Sequence, residues 1–265
     1  MAPFSTIIAT RHGAKSSSFL SLTLPGRPGS FFMKPVKLNT PFLIIAIVIL
    51  ADQALKIWIK THYPFGEVAK LGGFNWARLY FIENEGMAWG WKFGGSWGKM
   101  ALTLFRLVAV IFGTWYLVRI VRERYSRGFI VCAALIYAGA LGNLIDSMFY
   151  GLLFSASDYS TVASAFPPGG GYAGFLHGRV VDMLYFPFVE NGTWPSWVPF
   201  VGGQGVTFFS PIFNIADAAI SVGVITLIIF QKRFIHRQHA DRIDNAAEVK
   251  DLPASAEPDT QALTK

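Results

Sequence analysis

Charge is scarce in this chain. Asp, Glu, Lys and Arg make up 15% of its 265 residues, while 52% are hydrophobic; a soluble domain carries about 25% charge. That balance argues against a water-soluble globular protein. Cysteine is almost absent as well: Cys132, inside an apolar run, is the single copy. One thiol builds neither an intrachain disulfide framework nor a cysteine metal site, and a lone cysteine reads as a small hydrophobe. No His/Cys/carboxylate cluster has metal-ligand spacing, so no metal and no cofactor is expected, and His177 reads as an ordinary loop histidine. Residues 1–32 are rich in Ser, Gly and Pro and lack the sustained apolar stretch of a signal peptide. They read as an extension or disordered tail, with Met33 a candidate start. The net charge of +7 does not imply nucleic acid. The basic residues gather at the ends of apolar runs instead of along one polar face.

Four apolar segments are present, each near the roughly 20 residues needed to cross a bilayer. They cover about 41–60, 100–121, 128–150 and 208–230. The expected fold is an all-α integral membrane protein of four transmembrane helices occupying 33–240, followed by a polar tail, 241–265, expected to be disordered. Lys and Arg set the orientation. Lys34 and Lys37 precede the first span, Arg119, Arg122, Arg124 and Arg127 surround the turn after the second, and Lys232, Arg233, Arg237 and Arg242 follow the fourth. All three groups share one side, expected to be cytoplasmic, so loops 61–99 and 151–207 face outward. The first contains LGGFNWARLYFIENEG and is expected to form a small β-rich element at the membrane surface, with Trp76, Trp89, Trp91 and Trp97 at headgroup depth. In the second, PPGGGYAG reads as flexible and FPFVENGTWPSWVPF as interfacial.

The informative residues are the polar ones inside the spans. Each ionisable group at a helix centre costs roughly 2.5–3.5 kcal/mol on insertion. Span one carries Asp52 and Lys56, span three Asn143 and Asp146, span four Asn214 and Asp217. At about 1.5 Å rise per residue, Asp52 lies roughly 16 Å and Asp146 roughly 27 Å from their inner ends, and Asp217 no more than about 14 Å below its outer end. All three fall in the outer half of the bilayer. Asn143/Asp146 and Asn214/Asp217 are i,i+3 pairs, each on one helix face, and Asp52/Lys56 are i,i+4. Gly139, Ala140 and Gly142 keep one face of span three small enough for close helix approach. On these residues alone, Asp146 and Asp217 form the natural carboxylate pair. A relay for ions or protons through Asp52, Lys56, Asp146 and Asp217 is a second reading, a non-catalytic scaffold a third, and a helix-dipole role for Asp217 stays open.

Five motifs then occur in order: DQALK at 52–56, NEGMAWG at 84–90, GALGNLID at 139–146, VVDM at 180–183 and FNIAD at 213–217. Together, over about 34–235, they resemble the lipoprotein signal peptidases (signal peptidase II). The resemblance implies a monomeric aspartyl endopeptidase of the bacterial inner membrane, with both termini cytoplasmic and the site near the periplasmic face. It implies substrates that are diacylglyceryl-modified prolipoproteins, cleaved just before the lipidated cysteine, and partners limited to these and membrane lipids. The implied catalytic pair is Asp182 and Asp217, which requires the loop before span four to return to the membrane. Asp52, Lys56, Asn84, Gly86, Asn143, Asp146, Arg179 and Asn214 are assigned to substrate binding or site architecture. Two departures stand out. The family often has arginine after the GNxxD aspartate, where this chain has Ser147, and Arg179 is a candidate replacement. About 28 extra residues also lie between Gly151 and Gly178.

Overall fold

Apolar runs free of internal proline give long helices. The computed structural model describes residues 39–85 and 95–250, so Gly86, Trp89, Trp91 and the segment 1–32 lie outside the described residues. Helix α1 spans Asn39–His62, with Pro41 in its first turn where a missing N–H costs nothing. After strands β1 (Val68–Lys70) and β2 (Arg78–Asn84) comes α2, Gly95–Arg122. A tight turn leads into α3, Arg127–Ile145. In that turn Arg124 takes a left-handed φ of 54° and the Tyr125 N–H donates to the Ile120 carbonyl, a backbone-capped helix end. The long helix α5, Ile215–Lys250, is the last described element. Among the described residues, four helical stretches, 39–62, 97–122, 127–153 and 215–234, are long and apolar enough to cross a membrane. α3 is central, packing on α5, α1 and α2, while α2 turns Phe105, Val108, Ile111 and Phe112 outward, as lipid-facing side chains do.

Beyond Ile145 the third helix changes pitch. Asp146–Tyr150 form a π-helical turn, followed by a short turn α4, Gly151–Leu153. π-Turns widen a helix and release carbonyls from regular pairing. Here the following loop uses them: the Gly178 N–H donates to the Ser147 carbonyl (2.9 Å), Leu176 to Met148 (3.2 Å) and Ala173 to Gly151 (3.0 Å). A Cβ on Gly178 would collide with the Asp146 carbonyl oxygen, so only glycine permits this approach. The stretch expected to be flexible turns at Gly170, φ 85°, and returns through Tyr172, whose N–H donates to the Phe154 carbonyl.

The expected β-element is present but draws on both outer loops. Strands β3 (Val180–Tyr185) and β6 (Ile212–Phe213) join β1 and β2 in the order β1-β2-β3-β6, all antiparallel, with Ile82 opposite Asp182 and Phe213 opposite Leu184. Between them β4 (Val189–Thr193) and β5 (Gly205–Phe208) form a separate hairpin. Ile59, Leu79, Phe81, Tyr150, Phe154, Val181 and Met183 form one buried cluster, which fastens the sheet to the C-terminal end of α1 and the π-turn after α3. Two expected boundaries are corrected. Phe208 ends β5, residues 209–211 turn, Ile212–Phe213 form β6, and the last helix starts at Ile215, where Asn214 caps it. At the other end α5 continues past 240 to Lys250.

The α3–α5 crossing depends on a glycine. A Cβ on Gly139 would strike the Ala216 carbonyl oxygen and stand 2.6 Å from Ile220 Cγ1. Gly139→Val is expected to cost about 1–3 kcal/mol through overpacking, read as a lower thermal unfolding midpoint of the detergent-solubilised protein. A midpoint equal to wild type would show that the helices separate freely there.

Candidate active site

The site starts from a buried ammonium. Lys56, one helical turn after Asp52, is fully buried, and its Nζ has three acceptors: Asp52 Oδ2 (2.9 Å), Asp146 Oδ2 (2.8 Å) and Asn143 Oδ1 (2.8 Å). Three donors meet three acceptors, which satisfies the group. The two carboxylates are then engaged further. Asp146 Oδ1 accepts from Gln53 Nε2 (2.8 Å), and its Oδ2 also accepts the Val181 N–H (3.3 Å). Tyr150 Oη in turn donates to Gln53 Oε1 (3.1 Å). Asp52 Oδ1 accepts the Ala216 N–H in the first turn of α5 (2.9 Å). Asp52 therefore caps one helix from another, and Asp146 pins β3 to the third helix.

Two asparagines carry the network outward. Asn143 Nδ2 donates to Asp217 Oδ1 (2.7 Å). Asn214 Nδ2 donates to Asp182 Oδ1 (2.7 Å), with the Asn143 Oδ1 (3.1 Å) and the Val181 carbonyl (3.2 Å) also in reach. Asn214 Oδ1 accepts the Asp217 N–H (2.9 Å), the N-cap bond of α5. One amide thus touches both Asp182 and Asp217. Asp182 is buried and Asp217 half-buried. Burial, and next the neighbouring Asp217 carboxylate, push the Asp182 carboxyl up to about 7, against the pull of Lys56 and the Asn214 hydrogen bond.

The structure therefore brings Asp52, Lys56, Asn143, Asp146, Asp182, Asn214 and Asp217 into one network. Asn84 lies on the same sheet, opposite Val180 at the end of β2. Arg179 goes elsewhere. It lies two residues before Val181, the register partner of Glu83, and so shares that face of the strand. Its Nη1 meets Glu83 Oε2 at 3.4 Å and its guanidinium stacks over Tyr172 (5.4 Å). Glu83 also pairs with the buried Lys60, which binds Ser157 Oγ (2.8 Å) and sits between the rings of Phe154 and Tyr172. The extra residues after Gly151 thus cover a second ion-pair cluster beside the first. The cation bonded to Ser147 is Arg106 of α2, whose Nη1 donates to Ser147 Oγ (3.0 Å). Arg106, Gln53 and Glu83 escaped the sequence reading. The signal for Arg106 was available, since it is a charge inside an apolar span.

A family model described as Signal peptidase (SPase) II matches residues 44–233. The chain belongs to the signal peptidase II family. The lipoprotein signal peptidase of Porphyromonas gingivalis (strain ATCC 33277) is 45% identical over 72% of this chain and 82% of its own length. That of Amoebophilus asiaticus is 36% identical over 78% of this chain and 83% of its own. A solved structure described as a bacterial membrane enzyme aligns over 75% of this chain and 91% of its own at 25% identity, with a TM-score of 0.49. Signal peptidase II proteins are proteases, so the carboxylate network belongs to a bacterial membrane protease.

Removing the hub should be severe. Lys56→Met leaves Asp52 and Asp146 buried without their cation, a loss of about 3–5 kcal/mol, read as a fall in thermal midpoint, with partial recovery when Asp146→Asn is added. Wild-type stability of the single variant would show that Lys56 is not the hub.

Proposed function

We propose that this chain is an aspartyl endopeptidase that removes signal peptides from diacylglyceryl-modified prolipoproteins, cleaving just before the lipidated cysteine, with Asp182 and Asp217 as the catalytic pair. The observation that carries the reading is the Asn214 bridge, one amide bonded at 2.7 Å to Asp182 Oδ1 and at 2.9 Å to the Asp217 N–H. The remaining intramembrane carboxylates, Asp52 and Asp146, have their oxygens committed to Lys56, Gln53 and backbone N–H groups. Asp146, the alternative partner on sequence grounds, serves structure in this reading.

Two adjacent carboxylates do not both ionise readily, so one keeps a proton. Asp182, the more buried and the one raised to about 7, is the acid. Asp217, held by Asn143, is the base. Asp217 takes a proton from water as the oxygen attacks the scissile carbonyl, and Asp182 hydrogen-bonds the carbonyl oxygen as negative charge develops. Collapse of the tetrahedral intermediate breaks the C–N bond, and the proton on Asp217 passes to the leaving amine. Asn84 and Asn214 position the substrate backbone. The protein acts as a monomer in the inner membrane, with both termini cytoplasmic in accord with the arginines of the α2–α3 turn, and the site near the periplasmic face where a substrate arrives laterally with its acyl chains in lipid.

Asp182→Asn and Asp217→Asn are each expected to lower cleavage of a lipidated precursor by about a thousandfold or more, and wild-type release of signal peptide by both variants would sink the reading. A carboxylate-dependent ion flux without cleavage would favour the relay. The acid must be protonated, so the rate should fall as pH rises through about 7, where Asp182 loses its proton. A rate still climbing at about pH 9 would remove Asp182 from the acid role.

A further inference from the structure

Arg106 stands in the N-terminal half of α2 between side chains that face lipid, Phe105 and Val108. A guanidinium there is expensive, and such residues pair inward. Its Nη1 donates to Ser147 Oγ (3.0 Å), and that hydroxyl donates to the Asn143 carbonyl (2.9 Å). Ser147 is buried beside Asp146, and Asn143 holds Asp217. Through Ser147 and Asn143 the hydrogen-bonded chain from Arg106 ends on Asp217. Lys56, the other cation of the network, has committed its three N–H groups to Asp52, Asp146 and Asn143. It therefore faces the α1 side of the network and leaves the α2 side to another group.

We propose that Arg106 is a positioning residue of the peptidase, the counter-charge of the Asp182–Asp217 pair, anchored on Ser147 and delivered by a helix that supplies none of the carboxylates. The inference rests on the aspartyl reading given above. Arg106 acts through the pair. Its guanidinium favours a single negative charge shared by Asp182 and Asp217, and its bond to Ser147 steadies the turn of α3 that carries Asn143. The other charges facing this point are Asp52 and Lys56 from α1, Asp146 from the π-turn, Asp182 from β3, Asp217 from α5 and Lys99 from α2 itself.

The test is cleavage of a synthetic diacylglyceryl-modified prolipoprotein peptide by the full chain in lipid bicelles, across pH. A nearby cation favours the ionised carboxylate, so its loss moves both limbs of the profile upward. In Arg106→Gln the limbs are expected about one pH unit higher, and because pH 7 lies on the falling limb, kcat there is expected to rise about twofold, with KM little changed. The family pattern has arginine at the position of Ser147, so Arg106→Gln/Ser147→Arg is expected to restore the wild-type profile, and Arg106→Lys to keep most of it. An unshifted profile in Arg106→Gln overturns the proposal, whatever its rate, because a packing role lowers activity without moving the limbs. Where Arg106→Gln yields no folded protein, the double variant decides. Folded and active with the wild-type profile supports the counter-charge, and folded but inactive overturns it. Asp182→Asn and Asp217→Asn in the same assay keep the two readings apart. If both cleave at the wild-type rate, the catalytic pair itself is wrong. If both are dead while Arg106→Gln behaves as wild type, only this inference is lost.

Discussion

A lysine ammonium buried among membrane helices has to find three acceptors, and Lys56 finds them on its own helix, on the π-turn and on α3. The rest of the polar interior follows from that requirement. Asp52 and Asp146 cannot leave without stranding the cation, and each also holds another piece of backbone: Asp52 takes Ala216 at the start of α5 on its second oxygen, and Asp146 takes Val181 in β3 on the oxygen that binds Lys56. Asn143, fixed from one side by Lys56, can only present its amide nitrogen to the other, where Asp217 lies. The ion cluster thus sets where the last helix begins and where the third strand runs.

Close backbone approach makes that geometry possible. α3 meets α5 at Gly139, and the loop before β3 crosses the π-turn at Gly178, both places where a side chain would strike a carbonyl oxygen. The π-turn releases carbonyls, the loop supplies N–H groups, and the strand carrying Asp182 is thereby delivered beside α5. The extra residues between Gly151 and Gly178 strengthen this arrangement from outside. Phe154 and Tyr172 enclose Lys60, and Ser157 completes its pairing with Glu83. Arg179 joins this outer cluster, which leaves the inner one to Lys56 and Arg106.

The intramembrane carboxylates are alike in chemistry and differ in company. Asp52 and Asp146 hold a full cation and backbone donors. Asp182 and Asp217 each have an asparagine amide and each other. In the proposed reading, that difference in partners, more than depth or spacing, is the basis for placing the peptidase chemistry at the pair joined by Asn214.

The four spans, the close face of α3 and the polar residues Asp52, Lys56, Asn143, Asp146, Asn214 and Asp217 were legible in the sequence, because hydropathy and helical period are local properties. So was a β-element after α1. What only the tertiary structure decided was partnership. Asn143 and Asp217 are 74 positions apart, Gln53 and Asp146 are 93, Asp52 and Ala216 are 164, and no local pattern encodes such contacts. In the second outer loop β3 finds its hydrogen bonds on β2, far away in sequence, while β4 and β5 pair with each other, so the loop's strands left no span-like pattern to read. Asp182, on one of those strands, carried no span and no period to mark it, and without the family motifs Asp146 would have taken its place beside Asp217. The cation near Ser147 was sought on the neighbouring loop, whereas helix packing brings it from α2, since side chains in lipid pair with whatever polar group the adjoining helix turns toward them.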